Sequence, residues 1–172
     1  MSPPAEESHR PEPPFRIGSG YDIHRFAKER PLVLGGISIP SPLGLEGHSD
    51  ADVLTHALAD ALLGSIGDGD IGIHFSNTDP SIEGIDSQII LAFAAKKVRQ
   101  RGYQIGNLDA MIIAEFPKLS PHLPEIREKL ARTLEINPSQ ISVKATTNEG
   151  LGALGAGLGM AAQASCLIYR LA

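Results

Sequence analysis

"GHSDADVLTHALADALLGSIG", residues 47–67, is where the chain changes its periodicity. Val53, Leu54, Ala57, Leu58, Ala61 and Leu62 recur at the spacing of one helical face. The stretch predicts a helix capped by Ser49 or Asp50 and closed by Gly64. Upstream, "FRIGSGYDIH" (15–24) alternates as a strand does, and "RPLVLGGISIP" (30–40) places β-rich runs about a Gly-Gly turn, a hairpin pattern. Downstream, "DGDIGIHFSNTDPSIEG" (68–84) reads as a loop. "SQIILAFAAKKVRQRG" (87–102) reads as a second helix, capped by Asp86 or Ser87 and stopped by Gly102. "NLDAMIIAEF" (107–116) is a predicted strand, and "SPHLPEIREKLARTLEI" (120–136) a third helix with Ser120 as N-cap and Pro121 at its first position. "QISVKATT" (140–147) and "GMAAQASCLIYRL" (159–171) complete the strands. Helices and strands are mixed without strict alternation, which predicts an α+β fold rather than a doubly wound sheet.

The 172 residues suffice for one domain with a core. Hydrophobic residues are 42% and charged residues 20%, the balance of a soluble globular protein. A formal net charge of -5 lacks the basic field that nucleic-acid backbones require, and leaves room for a small phosphorylated ligand held by a few residues. Cys166 is the only cysteine, so there is no internal disulfide and no CxxC pair, and a reducing, cytoplasmic setting fits. The proline- and glutamate-rich start, "MSPPAEESHRPEPP" (1–14), reads as a disordered tail, with a single domain over 15–172. The uncharged run 151–169 has the length of a membrane span, but its glycines, Gln163 and Ser165 make it a poor one, and a buried strand or subunit interface accounts for it better.

On a strand, residues i and i+2 share a face, so Asp22 and His24 can converge on one point. Asp and His are ordinary ligands of a cation such as zinc, and His56, mid-helix, is the candidate third ligand. A hydrogen-bonded Asp–His pair and a satisfied helix histidine stay open as alternatives. Three ligands would leave zinc one open position, the catalytic arrangement. "GHSD" (47–50), ahead of a helix, offers backbone N–H groups, a hydroxyl and an imidazole to a phosphate, or is plain capping. "KATTNEG" (144–150) offers hydroxyls and a carboxylate to magnesium beside a phosphate, or is a polar strand end. Gly150, Gly152 and Gly155 match GxGxxG, but the 17 residues after Gly155 leave no room for a dinucleotide-binding βαβ unit.

Together "GYDIHRF" (20–26), "GHSDADVLTHALADALLG" (47–64), "GDIGIHFSNTDP" (69–80), "IIAEFPKLSPH" (112–122) and "KATTNEGLG" (144–152) resemble the 2-C-methyl-D-erythritol 2,4-cyclodiphosphate synthase family, from Arg16 to the C-terminus. The resemblance implies a mixed sheet covered by helices on one face, a homotrimer around a sheet-lined axis, and active sites between neighbouring subunits. It implies a lyase of the non-mevalonate isoprenoid pathway, which cyclises a CDP-linked methylerythritol 2-phosphate and releases CMP. By position, Asp22, His24 and His56 correspond to zinc ligands, and Glu149 to the carboxylate of a second metal, magnesium or manganese. His48 and Ser49 correspond to residues that steady the 2-phosphate. Asp70 and Gly72 correspond to ribose contacts, and Phe75 and Asn77 to further substrate contacts. Ala114, Pro117, Lys118 and Leu119 correspond to the cytidine pocket, and Thr146 and Thr147 to diphosphate contacts. Asp52 and Asp60, on the helix of His56, are candidates to orient an imidazole, with a solvated helix acid the better reading of at least one of them.

Two departures stand out. The family's "FPDTDP" is "FSNTDP" here, with Ser76 and with Asn77 in place of an aspartate. Its frequent "GRGEG" is "GAGLG" at 155–159, with Ala156 and Leu158 in place of the arginine and glutamate near the axis. Without that arginine, no prenyl diphosphate is expected at the trimer axis. A zinc phosphoesterase using the same ligands, and a non-catalytic trimeric binding protein, are the competing readings.

Overall fold

The computed structural model describes residues 13–76 and 83–170. Four strands come first: β1 (Phe15–Ala27), β2 (Leu32–Leu34), β3 (Ile37–Ile39) and β4 (Gly44–Leu45). Then follow α1 (Val53–Ser65), the short α2 (Ile71–His74), α3 (Ser87–Gln100), β5 (Gln104–Ile113), α4 (Leu123–Leu134), β6 (Ile141–Thr146), the one-turn α5 (Gly152–Gly155) and β7 (Gly159–Tyr169). The main sheet has the order β4-β1-β7-β5-β6, and β2-β3 is the predicted hairpin. β1 and β5 flank β7 antiparallel, while β5 and β6 run parallel, so the sheet is mixed and the fold α+β. Of the predicted tail, residues 1–12 lie outside the described residues, whereas the Pro14 carbonyl already accepts the N–H of Arg170 at 2.8 Å.

α1 is the centre of the core. Ten of its residues are buried, among them Leu54, Leu58, Leu62 and Leu63, and only His56, Asp60 and Gly64, one stripe at i, i+4 and i+8, reach toward solvent. α1 lies against β1 with almost no gap. A Cβ built on Gly18 would sit 2.0 Å from the carbonyl oxygen of Ala61, and one on Gly20 would sit 2.1 Å from that of Ala57. Glycine at these two positions lets backbone meet backbone. The other face of β1 is bare: Ile17, Tyr21 and Ile23 are 75%, 55% and 50% exposed.

Several boundaries differ from the predicted ones. α1 is capped by Asp52, whose Oδ1 accepts the N–H of Thr55 at 3.0 Å, and not by Ser49 or Asp50. Those two side chains close the turn before it, accepting the N–H groups of Ala51 and Asp52, while Ala51 takes a left-handed φ of 57°. Gly64 remains inside the helix, and the left-handed Gly67 (φ 68°) follows its end. α4 starts at Leu123 with Pro124 in its first turn, because Ser120 to His122 form a separate turn closed by the His122 N–H on the Leu119 carbonyl. β5 starts at Gln104, ahead of the predicted Asn107, through an irregularity between Ile105 and Asn107. α2 and α5 have no counterpart in the sequence reading. In α5 the glycine spacing serves a tight turn: a Cβ on Gly155 would lie 2.1 Å from the carbonyl carbon of Gly150. Among the described residues no helix is long and apolar enough to cross a membrane.

Candidate metal centre and substrate cleft

Asp22 and His24 leave β1 on the face that α1 covers, and the His56 stripe brings a second imidazole down beside them. Their ligating atoms lie within 4.8 Å of one another. Asp22 Oδ1 accepts the N–H of Ile23 (2.8 Å), which leaves Oδ2 to face both rings, 3.0 Å from His24 Nε2 and 2.9 Å from His56 Nδ1. The far nitrogens decide what this contact is. His24 Nδ1 stands 2.6 Å from the Glu46 carbonyl oxygen, an acceptor only, so Nδ1 carries a hydrogen. In the neutral ring Nε2 then aims a lone pair at a carboxylate, and this nitrogen is shut off from solvent without a hydrogen bond. The His24 nitrogen and the Asp22 oxygen thus meet as acceptors, with His56 Nδ1 against the same oxygen. One cation satisfies all three, and the Asp/His/His donor set suits zinc.

Burial alone would raise the Asp22 pKa, but the two imidazoles against its carboxylate hold it well below the usual carboxylate range. Burial, the largest single influence, acts to lower His24, but the Asp22 carboxylate beside it and the Glu46 carbonyl together raise it. The site is built to keep Asp22 ionised.

Neither Asp52 nor Asp60 orients an imidazole, a correction to the sequence reading. Asp52 is fully buried, which raises its pKa, and binds the N–H groups of Gly36 and Thr55, tying the hairpin to α1. Asp60 shares the exposed stripe with His56, but its Oδ1 accepts the N–H of Ile71 at 2.8 Å and so anchors α2. Burial, with the charges of Asp70 and Asp22, raises its pKa. The groups that hold the rings are the Glu46 carbonyl and the hydroxyls of Ser49 and Ser87, the latter 3.2 and 2.8 Å from His56 Nε2. A carbonyl leaves no mark in a sequence, and Ser87 reads only as a helix-capping residue.

The cleft beside the ligands is lined by His48, Ser49, Asp60, Gly72 and Phe75. Asp70 caps α2 through Ile73 N–H (3.1 Å) and is exposed, outside the lining of the cleft. Phe75 packs edge-on against Phe93. Asn77 lies outside the described residues.

The remaining predicted residues gather at the opposite sheet edge. Ala114 follows β5, its N–H donating to the Thr146 carbonyl at 3.0 Å, and Pro117, Lys118 and Leu119 continue from it. Leu119 is buried, whereas Lys118, Thr146, Thr147 and Glu149 are exposed. Glu149, left-handed at φ 52°, accepts the Thr147 hydroxyl at 3.0 Å. Glu115, unmarked by the sequence reading, shapes this loop by accepting the N–H groups of Asn148 and Gly150. β7 and β5 stand between β1 and β6, three strand steps or roughly 14 Å. None of this second group lines the metal cleft.

Comparison with known proteins follows the same outline. Residues 15–169 match the YgbB family. The chain is 55% identical over 156 residues to the 2-C-methyl-D-erythritol 2,4-cyclodiphosphate synthase of Synechococcus elongatus, covering 91% of this chain and 98% of that one. Among solved structures it resembles the CDP complex of IspF from Plasmodium falciparum, with a TM-score of 0.81, 35% identity, and coverage of 92% of this chain and 97% of that one. It also resembles part of the bifunctional IspDF of Campylobacter jejuni, with a TM-score of 0.88 and 39% identity, covering 91% of this chain and 42% of that one.

Proposed function

The chain belongs to the YgbB family, and from that premise we propose that it cyclises 4-diphosphocytidyl-2-C-methyl-D-erythritol 2-phosphate to 2-C-methyl-D-erythritol 2,4-cyclodiphosphate. This is a phosphorus–oxygen lyase step of the non-mevalonate isoprenoid pathway. An oxygen of the 2-phosphate attacks the β-phosphorus, the bond from that phosphorus to the bridging oxygen breaks, and CMP departs with the electron pair. The nucleophile belongs to the substrate, so the protein's task is to position it and to balance charge. The observation that carries the reading is the convergence of Asp22, His24 and His56 beside a cleft holding His48 and Ser49.

Asp22, His24 and His56 would hold zinc and Glu149 would hold magnesium or manganese; when bound, such cations supply positive charge to the diphosphate. His48 and Ser49 hold the 2-phosphate in line. Asp70 and Gly72 take the ribose, with Phe75 and Asn77 contacting the substrate beside them. Ala114, Pro117, Lys118 and Leu119 take the cytosine, and Thr146 and Thr147 the diphosphate. Because the two groups of residues sit on opposite sheet edges, the metal half of one copy works with the nucleotide half of a neighbour in a homotrimer. The bare face with Ile17, Tyr21 and Ile23 supplies the apolar surface for that packing. With Ala156 and Leu158 at its mouth, the axis of such a trimer holds no prenyl diphosphate. The reading includes a cytoplasmic enzyme with no nucleic-acid or membrane partner.

Phosphorus NMR of the protein with the CDP-linked substrate and Mg²⁺ tests this. Cyclic diphosphate with CMP is expected. Free inorganic phosphate or CDP would instead establish a phosphoesterase.

A further inference from the structure

Ser87, the first residue of α3, is completely buried and sits at a junction. Its N–H donates to Asp50 Oδ2 at 3.0 Å, and its hydroxyl donates to Asp50 Oδ1 in a short hydrogen bond. Both of its hydrogens are therefore spent on one carboxylate. What remains on Oγ is acceptor capacity, and His56 Nε2 lies 2.8 Å away. Asp50 is itself fixed, its Oδ1 accepting the N–H of Asp52 (3.2 Å) and its own N–H donating to the Ile85 carbonyl (3.3 Å). The polarity of the chain Asp50–Ser87–His56 thus runs one way: carboxylate accepts from hydroxyl, and hydroxyl oxygen accepts from the ring.

We propose that Ser87, anchored by Asp50, is a positioning residue for the metal, accepting His56 Nε2–H so that Nδ1 is presented to the cation as a lone pair. The inference rests on the metal reading of Asp22, His24 and His56. It also separates the roles of two serines that flank the same nitrogen. Ser49 Oγ is farther away, at 3.2 Å, accepts the Ala51 N–H, and lines the cleft. With Ser87 holding the imidazole N–H, the Ser49 hydroxyl hydrogen is free to turn to a substrate phosphate oxygen. Hydrogen bonds of this kind around a liganding histidine fix its tautomer and ring orientation.

The test is Ser87→Ala, which removes the acceptor and keeps a good helix former at the start of α3. Zinc affinity, by competition with a chromophoric chelator, is measured beside that of the unaltered protein, and the exchangeable ring proton of His56 is followed by NMR in both zinc-loaded proteins. The variant is expected to bind zinc about 10- to 100-fold more weakly, as loss of such a partner does elsewhere. Its His56 Nε2–H signal should move upfield and exchange faster with water. Unchanged affinity, or a loss of affinity with the proton unmoved, overturns the role of Ser87 while leaving the metal site standing. Failure of the unaltered protein to take up zinc overturns the metal reading and the inference with it.

Discussion

The two ends of the main sheet are built in opposite ways. At β1 the candidate ligands are held from behind: Asp22 by Ile23, His24 by the Glu46 carbonyl, and His56 by Ser87 and Ser49 on the core's central helix. At β6 the candidate substrate contacts Lys118, Thr146 and Thr147 and the candidate metal carboxylate Glu149 are exposed, and Glu149 accepts the hydroxyl of its neighbour Thr147. The metal end is organised within one chain. The β6 end is a surface, which on the proposed reading a second copy would complete.

The sharpest way to break this contrast is His56→Ala. It should strip the zinc and lower turnover roughly a thousandfold, the scale of several kcal/mol of lost charge stabilisation, while the fold and assembly persist. Full zinc content in the variant by elemental analysis would sink the ligand assignment. Glu149→Gln should act at the other end. Zinc stays, turnover falls by roughly one to two orders of magnitude, and the Mg²⁺ titration shifts to higher concentration. An unmoved titration would make the carboxylate a polar strand end and nothing more.

Mixing the two impaired variants under conditions that exchange subunits sharpens the comparison further. If each site joins halves from two chains, random assembly pairs unaltered halves at one site in four, and activity should return to about a quarter of the unaltered value. Sites closed within single chains would show no recovery. The smallest expected effect is none. Native mass spectrometry with geranyl diphosphate should show only unliganded assembly, since Ala156 and Leu158 offer no charge to offset a buried diphosphate. A complex of one ligand per assembly would refute this.

The same contrast explains what could be read in the sequence. Asp22 and His24 were legible because strand alternation puts them on one face, and the helix of His56 because its apolar stripe has helical spacing. The N-cap of α1 was misplaced because Ser49, Asp50 and Asp52 are all competent caps, and only the left-handed turn at Ala51 decides among them. Asp60 was misassigned for a similar reason: its place on the His56 stripe is visible, but its bond to Ile71 depends on where α2 comes to rest. Glu46 acts through its backbone and Glu115 through a loop 33 residues away, and neither leaves a spacing to detect.

Gly20 stands one turn of alternation from Asp22 and touches no ligand, yet it sets a machining tolerance. A methyl group there would start 2.1 Å from the Ala57 carbonyl oxygen, so α1 would have to lift by more than about 1 Å to reach ordinary van der Waals contact. Metal–ligand bonds accept errors of about 0.2 Å. His56 rides on the helix that would move, while Asp22 and His24 stay with the strand. A shift of that size is several times larger than a metal held by these three residues would tolerate, and the glycine acts as the gauge that keeps two secondary structures in alignment.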